Sequence, residues 1–197
     1  MKLAELFEQH EEPHYLTQSE FDALPNPSPQ NIEDRFRVGD VAFDTHKGLG
    51  NVPLNSNVDY MGFTVFMSPK TFLELATPAD RKEDAEKMEA LIRKRVPVGT
   101  PFFLADFNDE EYEQGEPLRF KIVGHEGRGR VNAIGAVNGY DSMIPVNVFP
   151  RGIRARNLSE KFFHDLKQTG IIPQPESKDG TPKRVNLGKI FWMKKVV

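Results

Sequence analysis

The chain contains no cysteine, so disulfides and thiolate metal sites are excluded. That absence fits a reducing compartment. No apolar run approaches the roughly 18 to 20 residues that a membrane-spanning helix needs. The opening MKLAELFEQHEEPHY is too acidic, and too short of apolar residues, to be a secretory signal. Cytoplasm is the expected location. An excess of positive charge is also missing. Lys and Arg number 26 against 29 Asp and Glu, a net charge of −3 with pI about 6.0. The chain as a whole is therefore not built to coat itself with nucleic acid. There is no GxxxxGK[ST], no HExxH and no legible Ser/His/Asp arrangement, so a P-loop and a zincin site are excluded. No internal repeat is visible.

Turn formers are abundant, with 15 Pro and 15 Gly in 197 residues. That length suits one domain with appendages and buries a core without staples. Residues 1–37 read as a helical, proline-punctuated arm. A short helix is expected over 2–9, another from Thr17 or Ser19, and an extended stretch around Pro25, Pro27 and Pro29. Residues 38–170 read as the core and 171–197 as an extension whose strands pack on it. Within the core, 38–43 (VGDVAF) reads as one strand. A long loop follows, carrying His46, Lys47, Gly48 and Gly50. It is either a surface loop or an anion cradle to which Lys47 contributes.

Residues 62–67 have strong β propensity. Ser68-Pro69 is a helix start, with Ser as N-cap and Pro at the first helical position. That helix is expected to bury Phe72, Leu73 and Leu75. A second, from about 78 to 94, presents a narrow stripe of Met88, Leu91 and Ile92. A strand over 101–105 leads into Asp106, Asp109, Glu110, Glu111, Glu113 and Glu116. This acidic cluster lacks calcium-loop spacing and reads as a solvated turn. The tail, VNLGKIFWMKKVV, reads as one or two strands with the sole Trp.

The densest chemistry lies in 118–150. Leu118, Phe120 and Ile122 alternate with polar positions, the period of a strand. A helix over about 128–137 turns Val131, Ile134 and Val137 inward, with Asn138-Gly139 as a left-handed cap. IPVNVF is a second strand, and Pro145 places its start there or puts it at a sheet edge. Strand, helix, strand suggests a crossover with parallel pairing or a mixed sheet. The turn between them is GHEGRGR. Backbone N–H groups at a helix N-terminus attract anions, and glycine lets a phosphate approach closely. Arg128 and Arg130 suit bidentate phosphate contact. Two residues apart on a helix, they diverge by roughly 200°, so one can face a ligand and the other a carboxylate. From Arg119 to Arg156, seven basic residues stand against Glu126 and Asp141. Glu126 is the candidate base, magnesium ligand or arginine orienter, and His125 the candidate proton carrier. The plainer alternative is a structural turn whose arginines pair with the acidic 106–116 segment or with Glu126. His125 would then be a satisfied histidine.

The order MSPKTFLELA, GTPFFLADF, FKIVGHEGRGRVNAI, MIPVNVFP resembles the ParB/sulfiredoxin-like superfamily. That superfamily places a Gly-Glu-x-Arg-x-Arg-like box between a strand and a helix, before a strand beginning Ile-Pro-Val. The likeness is nearer to ParB-like proteins of large tailed bacteriophages, through NVDYMGFTVFMSPKTFL at 57–73 and FPRGIRARNLSEKF at 149–162. It covers about residues 40–165. It implies an α+β fold with a small mixed sheet and flanking helices. It also implies binding of nucleotide phosphates at Gly124, Glu126, Gly127, Arg128 and Arg130. Asn132 is added to these binding positions. ATP or CTP with Mg2+ are the cofactors it implies, with Asp59 or Asp106 assisting Glu126 at the metal. Gly129 stands where the phage relatives carry a histidine, and Val131 replaces a usual alanine. No thiol is present for sulfinic-acid reduction, and no helix-turn-helix follows. The functions in view are a nucleotide-dependent hydrolase, phosphotransferase or nuclease, and, as the alternative, a non-catalytic module for nucleic acid, protein or host interaction.

Overall fold

The computed structural model describes residues 16–17, 19–20, 35–44, 61–78, 85–115, 118–151, 172–176, 180–181 and 191–194. The expected helix over 2–9, most of the one from Thr17 or Ser19, the proline stretch and the loop with His46, Lys47 and Asp59 lie outside these residues.

The fold is α+β with two mixed sheets. The small sheet joins β1 (Leu16–Thr17), β2 (Arg35–Val38), β3 (Val41–Asp44) and β5 (Val98–Gly99) in that order. The run read as one strand is thus a hairpin: β2 and β3 pair antiparallel, Val38 opposite Val41, with Gly39 and Asp40 as the turn. A Gly-Asp pair between β formers is a hairpin signal that strand propensity alone obscures. The large sheet contains β4 (Met61–Met67), β6 (Phe102–Phe107), β7 (Arg119–Glu126), β8 (Ile144–Pro150), β9 (Ile172–Gln174) and β10 (Phe191–Lys194). Its order is β10-β4-β8-β6-β7-β9. The described helices are α1 (Pro69–Leu75), α2 (Ala85–Arg93), α3 (Asp109–Glu113) and α4 (Arg128–Asn138).

For β8 one alternative of each pair holds: the strand begins at Ile144, next to Pro145, and it lies in a mixed sheet, so the edge position and the parallel pairing with β7 are the alternatives that fail. β8 is central, between β4 and β6, despite Pro145. Asn147 N–H bonds Pro101 O at 2.9 Å, and the β6 ladder begins opposite Asn147. Backbone groups two residues apart point the same way, so the donor that proline lacks faces a side where β6 has not begun. Nor do β7 and β8 pair across the helix. β6 lies between them, antiparallel to β7 and parallel to β8.

One face of the large sheet is apolar and covered by helices. Phe63, Val65, Phe103, Ala105, Phe120, Ile122, Ile144, Val146 and Val148 are buried there. Ser68 caps α1 by accepting from Thr71 N–H at 3.1 Å, with Pro69 in its first turn, as the sequence predicts. Phe72 then stacks on Phe103, ring centres 4.4 Å apart. From α4, Val131 and Ile134 enter the core and Val137 packs at its margin. In α2, Ile92 is buried and Met88 partly so, whereas Leu91 is exposed, unlike the expected stripe. Met88 and Ile92 sit four apart on one face, and Leu91 is turned roughly 100° from Ile92. Gly139 closes α4 with φ 93° and ψ 142°, not the left-handed cap expected. Phe36 meets Phe66 edge-on at 6.2 Å, joining the small sheet to the large one.

Candidate functional site

A bulge in β7 builds the site. Ala105 pairs with Ile122, but Leu104 pairs with Gly124 and Phe103 with His125, which leaves Val123 extra. An extra residue reverses the alternation of side chains beyond it. His125 therefore shares the helix-covered face with Phe120 and Ile122, where unbroken alternation would put it with Arg119 and Lys121. Its ring meets Phe72 edge-on at 6.4 Å. Glu126 falls on the opposite face, beside Phe102 in register.

Gly127 then turns the strand into α4. Its backbone has φ 98° and ψ 14°, which side-chain-bearing residues seldom adopt. A Cβ there would lie 3.1 Å from Pro101 Cα and 2.8 Å from Arg130 Nη2. Bonding inside the helix begins with Val131 N–H to Gly127 O at 2.9 Å. As a glycine, Gly127 has no side chain to cap the N–H groups of the first turn. The first turn contains no acidic residue.

The two arginines separate as the helix period requires. Arg128 Nη1 donates to Leu73 O at 2.9 Å and to Ala76 O at 3.2 Å. These carbonyls end α1, where a cation is favoured by the helix dipole. Arg130 returns to Glu126, one turn back, as an ion pair, and its Nε is buried without a partner. Glu126 as arginine orienter is thus the role its geometry displays. Gly124 pairs with Leu104 in register, and a Cβ there would lie 3.2 Å from Leu104 Cδ1.

His125 bonds Glu176, Nδ1 to Oε2 at 2.5 Å. Glu176 follows β9, which runs parallel to β7 along the sheet edge. The same carboxylate oxygen accepts from Thr77 N–H at 3.1 Å, and Glu176 N–H donates to Leu75 O at 3.0 Å. Burial raises the Glu176 pKa, but the Thr77 and His125 interactions outweigh it and hold the carboxyl below its ordinary value. His125, Arg128 and Glu176 therefore converge on the end of α1, residues 73–77.

The structure thus divides the expected site residues: His125 and Arg128 meet the end of α1, whereas Glu126 pairs with Arg130 on the opposite face of the sheet from His125, with Gly124 and Gly127 in the turn between them. Asn132 lies farther along α4, where its Oδ1 accepts from Tyr140 OH at 2.9 Å. Lys47 is outside the described residues. Asp106 pairs with Lys121 in register while Glu126 pairs with Phe102. That is four residues along β6, or about 13 Å. These two carboxylates do not converge. Among the described residues no group of three or more His, Cys, Asp or Glu could hold a metal. A magnesium ion needs one or two carboxylates besides phosphate oxygens. Glu126, at the turn, already faces Arg130. In the acidic segment, Glu110, Glu111 and Glu113 are exposed.

Glu176 escaped the sequence reading. It sits 51 positions after His125, within a Pro-rich run that reads only as a turn, and no local signal marks it. No protein-family model, curated protein or solved structure matches the chain.

Proposed function

We propose that the chain binds a phosphate-bearing ligand, foremost a nucleotide such as ATP or CTP, at the 124–130 turn. The observation that carries this reading is the N-terminus of α4. It has a glycine N-cap, two arginines and no acid in its first turn. The N–H groups and the dipole of a helix N-terminus favour an anion. The likeness of GHEGRGR to the ParB/sulfiredoxin-like box supports the same assignment.

Binding without turnover is favoured over hydrolase, phosphotransferase or nuclease activity. Glu126, the candidate base, is tied to Arg130, so proton abstraction would first have to break that pair. Nucleic acid, as a ligand of the same turn, would add a steep salt dependence.

The test is thermal unfolding of the wild type and Gly129→Asp with ATP, CTP or GTP and magnesium. Ligand at 100 times Kd stabilises by about 2.7 kcal/mol. An aspartate at the second position of α4 should raise the ligand-free melting temperature through the dipole, by roughly 0.3–1 kcal/mol. It should also abolish the nucleotide shift. A wild-type melting temperature that no nucleotide moves would end this reading.

A further inference from the structure

We infer that the groove between the β7 edge and the end of α1 is a recognition site for an extended partner peptide of the class Pro-x-Pro-Glu. In the free protein the chain's own residues 172–176 fill it and hold it shut. This site does not depend on the anion reading of the 124–130 turn.

The resident segment shows how such a peptide is held. Ile172, Pro173 and Gln174 add a parallel strand to β7, opposite Arg119, Phe120 and Lys121. In recognition by strand addition, backbone hydrogen bonds give affinity and alternate side chains give specificity. Here Pro173 and Pro175 are buried, and Gln174 between them is less so. Pro173 lies opposite Phe120 in register and so shares its helix-covered face. Glu176 then closes the segment at three points. Its N–H donates to Leu75 O at 3.0 Å, its Oε2 accepts from Thr77 N–H at 3.1 Å, and the same oxygen meets His125 Nδ1 at 2.5 Å. Two of these contacts need the carboxylate, which makes the last position selective for an acid. Proline suits the other positions, because its fixed φ leaves less freedom to lose on docking.

The receiving side is built by other elements. Leu75 O and Thr77 N–H are backbone groups at the end of α1, which Arg128 holds through Leu73 O and Ala76 O. His125 is placed by the bulge in β7. The resident segment, in contrast, is suited to leave. Its strand has three residues and stands last in the sheet order. The Thr77 bond is exposed, and the side chains of His125 and Glu176 are 18% and 22% exposed, so a competing carboxylate can reach the pair. Residues 151–171 separate the segment from β8, so it can depart without drawing on the central strand. Short elements with solvent-exposed hydrogen bonds open at less than the global cost. A partner peptide with the same spacing of two prolines and a glutamate would take the vacated contacts one for one.

The experiment titrates the full chain, wild type and Glu176→Lys, with a fluorescent peptide of sequence IIPQPES, residues 171–177, and follows anisotropy. Glu176→Lys removes the carboxylate that locks the resident segment. It should bind the peptide about 10-fold more tightly than wild type, where the attached segment competes at its effective concentration. A peptide with Lys in place of its Glu should bind neither protein. In wild type, amide hydrogen exchange at Gln174 and Glu176 should be about 100-fold faster than at Val146 and Val148 of the central strand, reporting local opening. Peptide binding that is absent, or equal in the two proteins, overturns the inference. So does equal binding of the Glu and Lys peptides. Exchange at Gln174 and Glu176 as slow as at Val148 means that the segment leaves only on global unfolding, and overturns it even where Glu176→Lys does not fold. Dimerisation of wild type through exchanged segments would assign the groove to a second copy and overturn the partner peptide. Each of these outcomes leaves the anion site standing.

Discussion

At Gly127 the backbone sits at φ 98°, and the space a side chain would take is filled by Pro101. Both constraints act on the same atom. Gly127→Ala should therefore destabilise by about 1–2 kcal/mol for the left-handed backbone alone. Displacement of Pro101 adds to that. Urea unfolding measures it, and a variant within about 0.5 kcal/mol of wild type, the range of ordinary surface changes, would remove the steric argument. The glycine was legible as a turn residue in GHEGRGR. That its neighbour would be Pro101, just before β6, was not, because strand order is a long-range property.

The C-terminal end of α1 and the N-terminal end of α4 meet through Arg128. Its guanidinium donates to Leu73 O and Ala76 O, carbonyl acceptors that the short helix cannot satisfy itself. Arg128→Ala should cost about 1–3 kcal/mol, as expected for hydrogen bonds to a charged donor, and Arg128→Lys should recover part of it. Hydrogen exchange should accelerate selectively at Ala76, whose N–H closes α1 on Phe72 O. A stability unchanged in Arg128→Ala would mean that the guanidinium has no capping role. The two ends of α1 also differ in legibility. Ser68-Pro69 announces its start through groups three residues apart. Its finish depends on Arg128 and Glu176, more than fifty residues away.

Across the whole molecule, the segment 172–176 ties the edge of the large sheet to α1 and to the candidate site. Its ionic contribution has a definite sign. The Glu176 pKa is lowered in the fold, so the stabilisation is complete above the carboxyl pKa of the unfolded chain. It is lost as pH falls through the lowered folded value. Wild type should accordingly be more stable than Glu176→Gln at neutral pH. The gap should close on acidification below about pH 4, the ordinary glutamate range. Melting temperatures of the two proteins across that range measure it, and a gap independent of pH would unlink Glu176 ionisation from folding.

The sequence alone determined what depends on neighbours within a few residues. Ser68-Pro69 starts a helix, the alternation of Leu118, Phe120 and Ile122 buries one side of a strand, and Val131 and Ile134 face inward at helical spacing. It also concentrated glycine and arginine in one turn of an otherwise acidic chain. Tertiary structure decided which strands neighbour one another, because pairing depends on partners far apart in sequence. It set β6 between β7 and β8 and kept Pro145 in a central strand. One unpaired residue, Val123, carried His125 to the opposite face, where Glu176 could reach it. A bulge is decided by how two strands fit, so the chemistry of that histidine was settled by β6 and the C-terminal segment, not by the turn in which it is written.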